Sequence, residues 1–281
     1  MPQDTARQAG VPARQRAEVD WDRWADGPQA AELPPVMPSA RALLGNLPPQ
    51  ADGLILDLAC GLGSPTFEAA RLNPGARVLG VDRAGKLIDA ARALAAAHVI
   101  GNADFVVMSL DALTLPDKSA NAAISHLAFL QEGDVAVSVN ELSRVLKDGA
   151  QFSVAAWDAM ELNTLMSLTV QVLERHVPAE LLPDVGHLNQ LATPGLRERL
   201  LREAGFSTLH TELFSWQQPA PSAAALIASP VPFGRAVDSL ASSELEIVRS
   251  ELEHEAAEFR AANGTYVFPT ACRLYWGSKQ G

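Results

Sequence analysis

Short apolar runs recur along the chain, separated by segments with the spacing of amphipathic helices. The first run, Leu-Ile-Leu-Asp-Leu at 54–58, is apolar on both faces except for one acid, which is typical of a strand buried in a parallel sheet. Further strands are predicted at 77–82, 105–110, 122–126, 151–157, 208–216 and 266–276. Because strands that alternate with helices favour βαβ units, the pattern predicts a doubly wound α/β fold.

The segment after the first strand is built from small residues. Ala59, Gly61 and Gly63 would let the backbone approach a ligand closely and turn sharply into a helix. Gly-x-Gly at this place also occurs in tight turns that bind nothing. Asp82, however, ends the second strand, where an acid is placed to accept hydrogen bonds from ribose hydroxyls. Together these residues predict a site for a nucleoside-containing cofactor.

Helix boundaries carry their own signals. Ser64 is predicted to cap the helix after the glycine loop, with Pro65 at its first position, where a missing N–H has no cost. The helix after the fourth strand is predicted to end near Gly149, with Arg144 and Lys147 in its last turn, as helix C-termini favour.

Two further positions distinguish between cofactor classes. Asp111 follows the third strand, and an acid there suits an adenine amino group better than a nicotinamide cofactor requires. The third glycine of a dinucleotide-binding fingerprint would fall on Thr66, which is neither Gly nor Ala. A dinucleotide-binding oxidoreductase is therefore the weaker interpretation, since a cofactor without pyrophosphate needs no glycine there.

Four motifs in order and spacing resemble those of class I S-adenosylmethionine-dependent methyltransferases. They are Asp-Leu-Ala-Cys-Gly-Leu-Gly at 57–63, Val-Asp at 81–82, Ser-Leu-Asp-Ala at 109–112 and Arg-Val-Leu-Lys-Asp-Gly at 144–149. Within that family the chain is similar to the small-molecule branch, which includes ubiquinone/menaquinone-type and natural-product methyltransferases. The resemblance covers 51–158 and extends more loosely to 196–206; it departs at Ser64-Pro65, where many members have a further glycine.

The resemblance implies a seven-stranded, mostly parallel sheet whose seventh strand is antiparallel, with helical cap insertions. It also implies S-adenosyl-L-methionine as the cofactor, with the methionine moiety at the loop after the first strand and the ribose at Asp82. Arg83 would lie beside the adenine. The implied cofactor-binding set is Asp57, Ala59, Gly61, Gly63, Asp82, Arg83, Leu110, Asp111, Ala112 and His126.

Insertions around the core define the expected domains. Residues 1–50 form a polar tail, predicted disordered over 1–18, and an N-terminal helical cap; 51–158 form the Rossmann-like cofactor-binding core. An insertion at 159–192 contributes to the substrate pocket, and 217–263 form a helical lid insertion. Segments 193–216 and 264–281 complete the sheet. Within the lid, Ser-Glu-Leu-Glu at 243–246 has the form of a capping box, and the helix it begins is predicted to stop at Asn263-Gly264.

Methyl transfer needs a dry pocket that aligns nucleophile, methyl and sulfur, and a general base only if the nucleophile must lose a proton. His126, at the end of the fourth strand, is the best-placed candidate base, and His187 is the second. Both residues are also compatible with plain packing. The expected pocket walls are Trp24, Phe129, Trp157, His187 and Phe233, each of which could equally be core.

No metal is expected. Catechol-type methyltransferases gather carboxylates after strands four and five; here Asp158 fills one such place, but Ser125 and His126 occupy the other. The histidines and cysteines lack zinc-ligand spacing. Cys60 and Cys272 are predicted to be free, buried thiols.

Charge and hydropathy exclude other classes of protein. A net charge of −11 disfavours a nucleic-acid partner, because phosphate neutralisation needs clustered Lys and Arg. There is neither a signal-peptide pattern nor an apolar run long enough to span a bilayer, so a cytoplasmic protein without a membrane span is expected. The expected partner is a small-molecule substrate, and a homodimer is possible.

Three functions fit these residues. The leading one is methyl transfer to an O, N or C nucleophile of a small, fairly apolar metabolite, with natural-product biosynthesis as the expected setting. The second is a methyltransferase-like fold that binds the cofactor but catalyses a cyclisation or pericyclic step, since fold does not fix function. The third is a non-catalytic cofactor-binding protein.

Overall fold

A computed structural model describes residues 19–27, 30–131, 133–228 and 232–281; the tail predicted at 1–18 lies outside the described residues. Seven strands form one sheet in the order β3-β2-β1-β4-β5-β7-β6. Strands β1 to β5 pair in parallel, and β7 is antiparallel to both β5 and β6. The strands are β1 Leu54–Leu58, β2 Arg77–Asp82, β3 Ala103–Val107, β4 Ala120–His126, β5 Leu146–Trp157, β6 Phe206–Ala220 and β7 Tyr266–Lys279. The predicted mostly parallel sheet with an antiparallel seventh strand is confirmed.

Helices cover both faces of this sheet. The α-helices are α1 Pro38–Gly45, α2 Ser64–Leu72, α3 Gly85–Ala97, α4 Val135–Val145, α5 Thr164–Leu173, α6 Val185–Leu191, α7 Leu196–Glu203, α8 Ala225–Ala228, α9 Gly234–Asp238 and α10 Ser242–Glu255. Neighbouring residues of β1 point to opposite faces: Ile55 packs in the core beneath α1, α2 and α3, and Leu56 in the core beneath α4 and α7. Burial on both faces explains why β1 is apolar throughout.

Several boundaries differ from the sequence expectations. Gly63, in the left-handed conformation, caps α2, and the Ser64 hydroxyl donates to the Pro35 carbonyl at 3.1 Å instead of capping the helix. Helix α4 ends at Val145 rather than near Gly149, because Leu146 is extended and pairs with Ala120 of β4. Arg144 is in the last turn as predicted.

The C-terminal elements also differ in extent. β6 runs to Ala220 and β7 to Lys279, because the two strands pair along their whole length. The predicted capping box at 243–246 is displaced: α10 begins at Ser242, and Glu244 accepts a hydrogen bond from the Ala241 N–H at 2.8 Å. The helix ends at Glu255, well before the predicted stop at Asn263-Gly264.

The second and third insertions share one apolar core. Val170 and Leu173 of α5 are buried with Val248 and Leu252 of α10. Arg175, just after α5, forms ion pairs with Glu251 and Glu255 of α10 at 3.2 and 3.0 Å. We call the described residues of 159–192 and 219–262 together the helical cap, because their apolar side chains form a core distinct from the two sheet cores.

No helix within the described ranges is both long and apolar enough to cross a bilayer. Cys60 and Cys272 are free and buried, as predicted. The expectations of a cytoplasmic location and of a homodimer stay predictions.

Candidate cofactor and active site

The loop after β1 has an unusual backbone. Ala59, Gly61 and Gly63 have φ angles of 56°, 54° and 88°, so three positions in five are in the left-handed region that non-glycine residues rarely occupy. A Cβ on Gly63 would lie 2.9 Å from the rings of Phe67 and Phe105, which makes this glycine a steric requirement of packing. A Cβ on Gly61 would meet nothing within 4 Å. Gly61 therefore faces open space that a ligand can occupy.

Asp57 lies beneath this loop and is fully buried. Its Oδ2 accepts a hydrogen bond from the Thr66 hydroxyl at 2.6 Å, whereas its Oδ1 has no hydrogen-bond partner among the described residues. Burial raises the pKa of Asp57 to about 7, with a further contribution from the nearby Asp82 carboxylate. The site thus contains a carboxyl oxygen that is both desolvated and unpartnered, which is costly unless a ligand satisfies it.

Asp82 joins the loops after β1 and β2. Its Oδ2 accepts from the Gly61 N–H and its Oδ1 from the Ala84 N–H, both at 2.9 Å. Burial raises the pKa of Asp82 despite these bonds. Each carboxylate oxygen can accept a second hydrogen bond, so capacity for ribose hydroxyls remains.

The loop after β3 completes the same edge of the sheet. Asp111 accepts a hydrogen bond from the Ser109 hydroxyl, and the Ala112 N–H closes a turn on the Ser109 carbonyl at 3.3 Å. Asp111, Ala112 and Arg83 are exposed, and Leu110 is half-buried. These predicted adenine-binding residues follow β2 and β3, the strands next to β1. Their role in binding stays a prediction.

His126 ends β4, beside β1 at the same edge. Its Nε2 lies 2.8 Å from the hydroxyl of Ser39 in α1. Burial lowers the pKa of His126 to about 4, so the ring is neutral at pH 7.

The N-terminal segment 19–47 crosses this edge. Trp24 packs in a cluster with Leu62 of the glycine loop and Ala84 after β2. Ser64 binds the Pro35 carbonyl, and α1 reaches His126 through Ser39. We call the described residues of 19–47 the N-terminal strap, because their contacts lie beside β2, β1 and β4 in turn.

Ion pairs hold the strap at both sides of the site. Lys86 of α3 pairs with Asp26 at 3.0 Å, and Arg23 pairs with Asp238 of the helical cap at 2.7 Å. All four side chains are partly exposed, so each pair stabilises the fold little. The two ion pairs instead show where the strap lies, beside α3 and the helical cap.

The predicted pocket residues have different surroundings. Trp157 ends β5 and stacks on Trp216 with ring centroids 6.2 Å apart. His187 is half-buried in the first turn of α6. Phe129 and Phe233 are fully buried, Phe129 in the core beneath α4 and Phe233 in the helical cap. The structure thus brings Asp57, Asp82 and His126 to one edge but embeds both phenylalanines in cores. The pocket roles of all five predicted wall residues, Trp24 included, stay predictions.

Three polar residues make contacts that the sequence did not predict. Ser39 and Thr66 are fully buried, each bonded to a predicted site residue. Arg197 of α7 is 1% exposed and donates to the carbonyls of Leu130 and Trp157, both at 3.0 Å, so it ties the segment after β4 to the end of β5. The contact of Thr66 could have been inferred from the sequence, since Thr66 lies on the first turn of α2 above Asp57. The sequence around Ser39 and Arg197 does not indicate their contacts.

Across the described ranges, no group of three or more His, Cys, Asp or Glu side chains is placed to hold a metal ion.

Comparison with protein families gives a match over residues 55–149 to a model described as a methyltransferase domain. This span runs from β1 into the start of β5 and so contains Asp57, the glycine loop, Asp82, Asp111 and His126.

Solved structures share the fold over most of the chain. A putative methyltransferase from Bacillus halodurans C-125 superposes with a TM-score of 0.59 at 19% identity, covering 86% of this chain and 99% of that one. The [4+2]-cyclase SpnF gives a TM-score of 0.55 at 16% identity, covering 86% and 80%. A geranyl diphosphate C-methyltransferase from Streptomyces coelicolor A3(2), in complex with Mg²⁺, geranyl-S-thiolodiphosphate and S-adenosyl-L-homocysteine, gives 0.51 at 15% identity, covering 86% and 75%.

Proposed function

We propose that this chain, whose residues 55–149 belong to the methyltransferase domain family and whose sheet is that of class I methyltransferases, transfers a methyl group from S-adenosylmethionine to a small, fairly apolar metabolite. The acceptor atom is an oxygen, nitrogen or carbon nucleophile. The observation that carries the proposal is the buried, unpartnered Oδ1 of Asp57 beneath the glycine loop.

The chemistry of the site fits this cofactor. S-Adenosylmethionine carries an ammonium group, a ribose diol and an adenine, but no phosphate. Asp57 and Asp82 place two buried carboxyl groups beside the loop. Asp57, directly beneath the loop, would repel the pyrophosphate of a dinucleotide and suits a cation, whereas Asp82 suits the hydroxyl donors of a ribose in either class of cofactor. Asp57 therefore argues against a nicotinamide cofactor.

When bound, the cofactor supplies a methyl group on a cationic sulfonium. The residues of this chain bind the cofactor, orient the substrate and enclose both. Asp57 and Asp82 hold the cofactor through the ammonium and the ribose. The N-terminal strap and the helical cap exclude water, which strengthens every electrostatic interaction inside. His126 contacts the ligand as a neutral imidazole, whose role is set by which ring nitrogen carries the proton.

The tryptophan pair at the end of β5 supports an apolar substrate. Trp157 and Trp216 stack, and Phe214 lies 5.9 Å from Trp216 between ring centroids. Such aromatic surface binds apolar groups by burial and by ring stacking. A biosynthetic role in natural-product metabolism agrees with a substrate of this kind.

Replacement of Asp82 by alanine is expected to weaken S-adenosylmethionine binding by one to two orders of magnitude. Hydrogen bonds to charged groups contribute about 1.5–3 kcal/mol, and the Gly61 loop would also lose its anchor. Titration calorimetry measures the change. Asp104→Asn, at an exposed acid on β3 that pairs with Arg77, is the matched control and should bind normally. Unchanged affinity in a folded Asp82→Ala protein would remove this residue from the site.

Amide hydrogen exchange tests the enclosing role of the helical cap. Because 159–192 and 219–262 share a core, we expect them to exchange as one unit and faster than β1–β5 in the free protein. Binding of cofactor together with a substrate analogue should protect both segments. Cofactor alone should protect the glycine loop and leave the cap nearly unchanged. A cap that is already as protected as the strands, and indifferent to ligands, would be a fixed wall and would require another entrance.

Cyclisation is the second candidate function, because one structural neighbour is a [4+2]-cyclase with the same fold. A screen of candidate metabolites with methyl-labelled cofactor distinguishes the two. Labelled product supports methyl transfer, whereas an unmethylated isomer formed only with enzyme supports cyclisation. Cofactor binding without either product in a broad screen would favour a non-catalytic role.

A further inference from the structure

A buried hydroxyl contacts His126 at the edge of the site. Ser39 is fully buried in the first turn of α1, and its Oγ lies 2.8 Å from Nε2 of His126. The two residues are 87 positions apart in the chain, so the contact depends on how α1 docks.

The docking of α1 is well defined. Ala40 and Leu43 are buried in the sheet core with Ile124 of β4. The Ser153 hydroxyl of β5 donates to the Leu43 carbonyl at 2.6 Å. Ser39 is therefore held against the imidazole by packing on both β4 and β5.

The available hydrogen-bond partners of Ser39 and His126 indicate which of the two groups is the donor. Among the described residues, the Ser39 hydroxyl has no hydrogen-bond partner other than Nε2, and Nδ1 of His126 has none. If Nε2 carried the proton, the buried hydroxyl hydrogen would be left without an acceptor, and unsatisfied buried donors are rarer than unsatisfied lone pairs. If Ser39 donates to Nε2, a hydroxyl lone pair and the Nδ1–H are left over. His126 is half-buried and its Nδ1 is not a fully buried, unpartnered atom, so water can satisfy that N–H, whereas no water reaches the fully buried Ser39 hydroxyl. The second arrangement costs less.

We infer that Ser39 is a positioning residue that holds His126 as the Nδ1–H tautomer, so that the ring presents an N–H donor to an acceptor oxygen of the bound ligand. This inference rests on the proposed function and specifies its substrate chemistry. The oxygen belongs either to the cofactor carboxylate or to a carbonyl, carboxylate or phenolate of the substrate. In this tautomer the nitrogen facing the ligand carries a proton already, and it orients the nucleophile without removing a proton from it.

Nitrogen-15 NMR of the full-length protein, labelled at histidine, measures the tautomer directly. The His126 signals are assigned by their loss in His126→Asn. In the wild-type protein at pH 7 we expect Nδ1 in the N–H range and Nε2 in the unprotonated range. In Ser39→Ala the Nε2 signal should shift toward the N–H range, because the donor that held the tautomer is gone.

Ser153→Ala is the matched control, since it removes another buried hydroxyl bond to α1 without touching the ring; it should leave the tautomer unchanged. A wild-type Nε2–H tautomer would overturn the inference, and so would an identical spectrum in Ser39→Ala. The wild-type spectrum is decisive even if Ser39→Ala does not fold. The measurement needs no methyl transfer: absence of cofactor binding in wild type would instead defeat the proposed function.

Titration calorimetry with S-adenosyl-homocysteine then identifies the source of the oxygen. Weaker binding in Ser39→Ala, with Ser153→Ala normal, assigns it to the cofactor carboxylate. Normal binding with a raised substrate KM assigns it to the substrate. Normal values of both constants, with kcat also unchanged, would contradict any ligand contact by the ring.

Discussion

Replacing His126 with leucine is expected to lower kcat/KM about 10- to 100-fold, whereas asparagine at the same position is expected to retain most of the activity. An asparagine amide places an N–H near the position of Nδ1, while leucine removes every donor. A hydrogen bond between this N–H and a charged oxygen is worth about 1.5–3 kcal/mol, which sets the size of the leucine effect. Steady-state kinetics of the two variants measures the difference.

The same pair of variants tests the alternative role of His126. A general base contributes about 10²- to 10⁴-fold, and neither asparagine nor leucine can replace it. Equal losses of that size would support the general base predicted from the sequence and contradict the donor role. His98→Leu, at an exposed histidine that follows α3, should leave turnover unchanged. Turnover within threefold of wild type in both His126 variants would assign the ring to packing.

The Asp57→Asn variant is expected to bind S-adenosylmethionine about 10- to 100-fold more weakly than the wild type at pH 8. It is also expected to have a higher free energy of unfolding in the absence of ligand. The pKa of Asp57 is raised from its ordinary value of 3.8 to about 7 by burial. Between these two values the folded protein holds a proton that the unfolded chain has lost. The free energy of unfolding therefore falls as pH rises through this window, and the loss is complete above pH 7.

The magnitude follows from the shift. Each pKa unit corresponds to about 1.4 kcal/mol, so an ionised Asp57 costs the free protein several kcal/mol. Asparagine avoids that cost. Its buried amide group lacks hydrogen-bond partners, however, which lowers the free energy of unfolding by about 1–3 kcal/mol. Denaturant unfolding should show the variant gaining most over wild type at pH 8 and least near pH 4.

Cofactor binding should have the opposite pH dependence. A cationic ligand favours the carboxylate, so wild-type affinity should rise as pH increases from about 6 to 8 and then level off. Thr66→Val is the matched variant, because it removes the bond to Oδ2 and keeps the carboxyl group. In this variant the pKa of Asp57 should rise further, and the lost affinity for the cofactor should recover at higher pH. Affinity that is flat across this range in wild type would mean that Asp57 does not face the cation.

Local patterns predicted the first two strands well. The first strand at 54–58 was placed correctly, and so was the second, which ends at Asp82. Both predictions depend on features that act over a few residues: apolar runs buried on both faces, and small residues where the backbone turns. The likeness of motif order and spacing then added the seventh, antiparallel strand.

Prediction failed where a residue's partner is distant in sequence. Ser64 looked like a helix cap, but the strap brings the Pro35 carbonyl to its hydroxyl. The lid expected at 217–263 proved to share a core with the earlier insertion, because α5 and α10 pack their apolar faces together. No spacing within either segment could reveal the other as its partner.

By itself, then, the amino-acid sequence determined the first two strands, the glycine loop after the first and the positions of the two acids beside it, because each is fixed by periodicity or backbone sterics over one βαβ unit. Only the tertiary structure decided the state of those groups. Burial, not sequence, raised the pKa of Asp57 to about 7 and left its Oδ1 unpartnered. The docking of α1 likewise placed Ser39 on His126. Such effects depend on which apolar faces fit together across the whole chain, and that fit is set by packing in three dimensions.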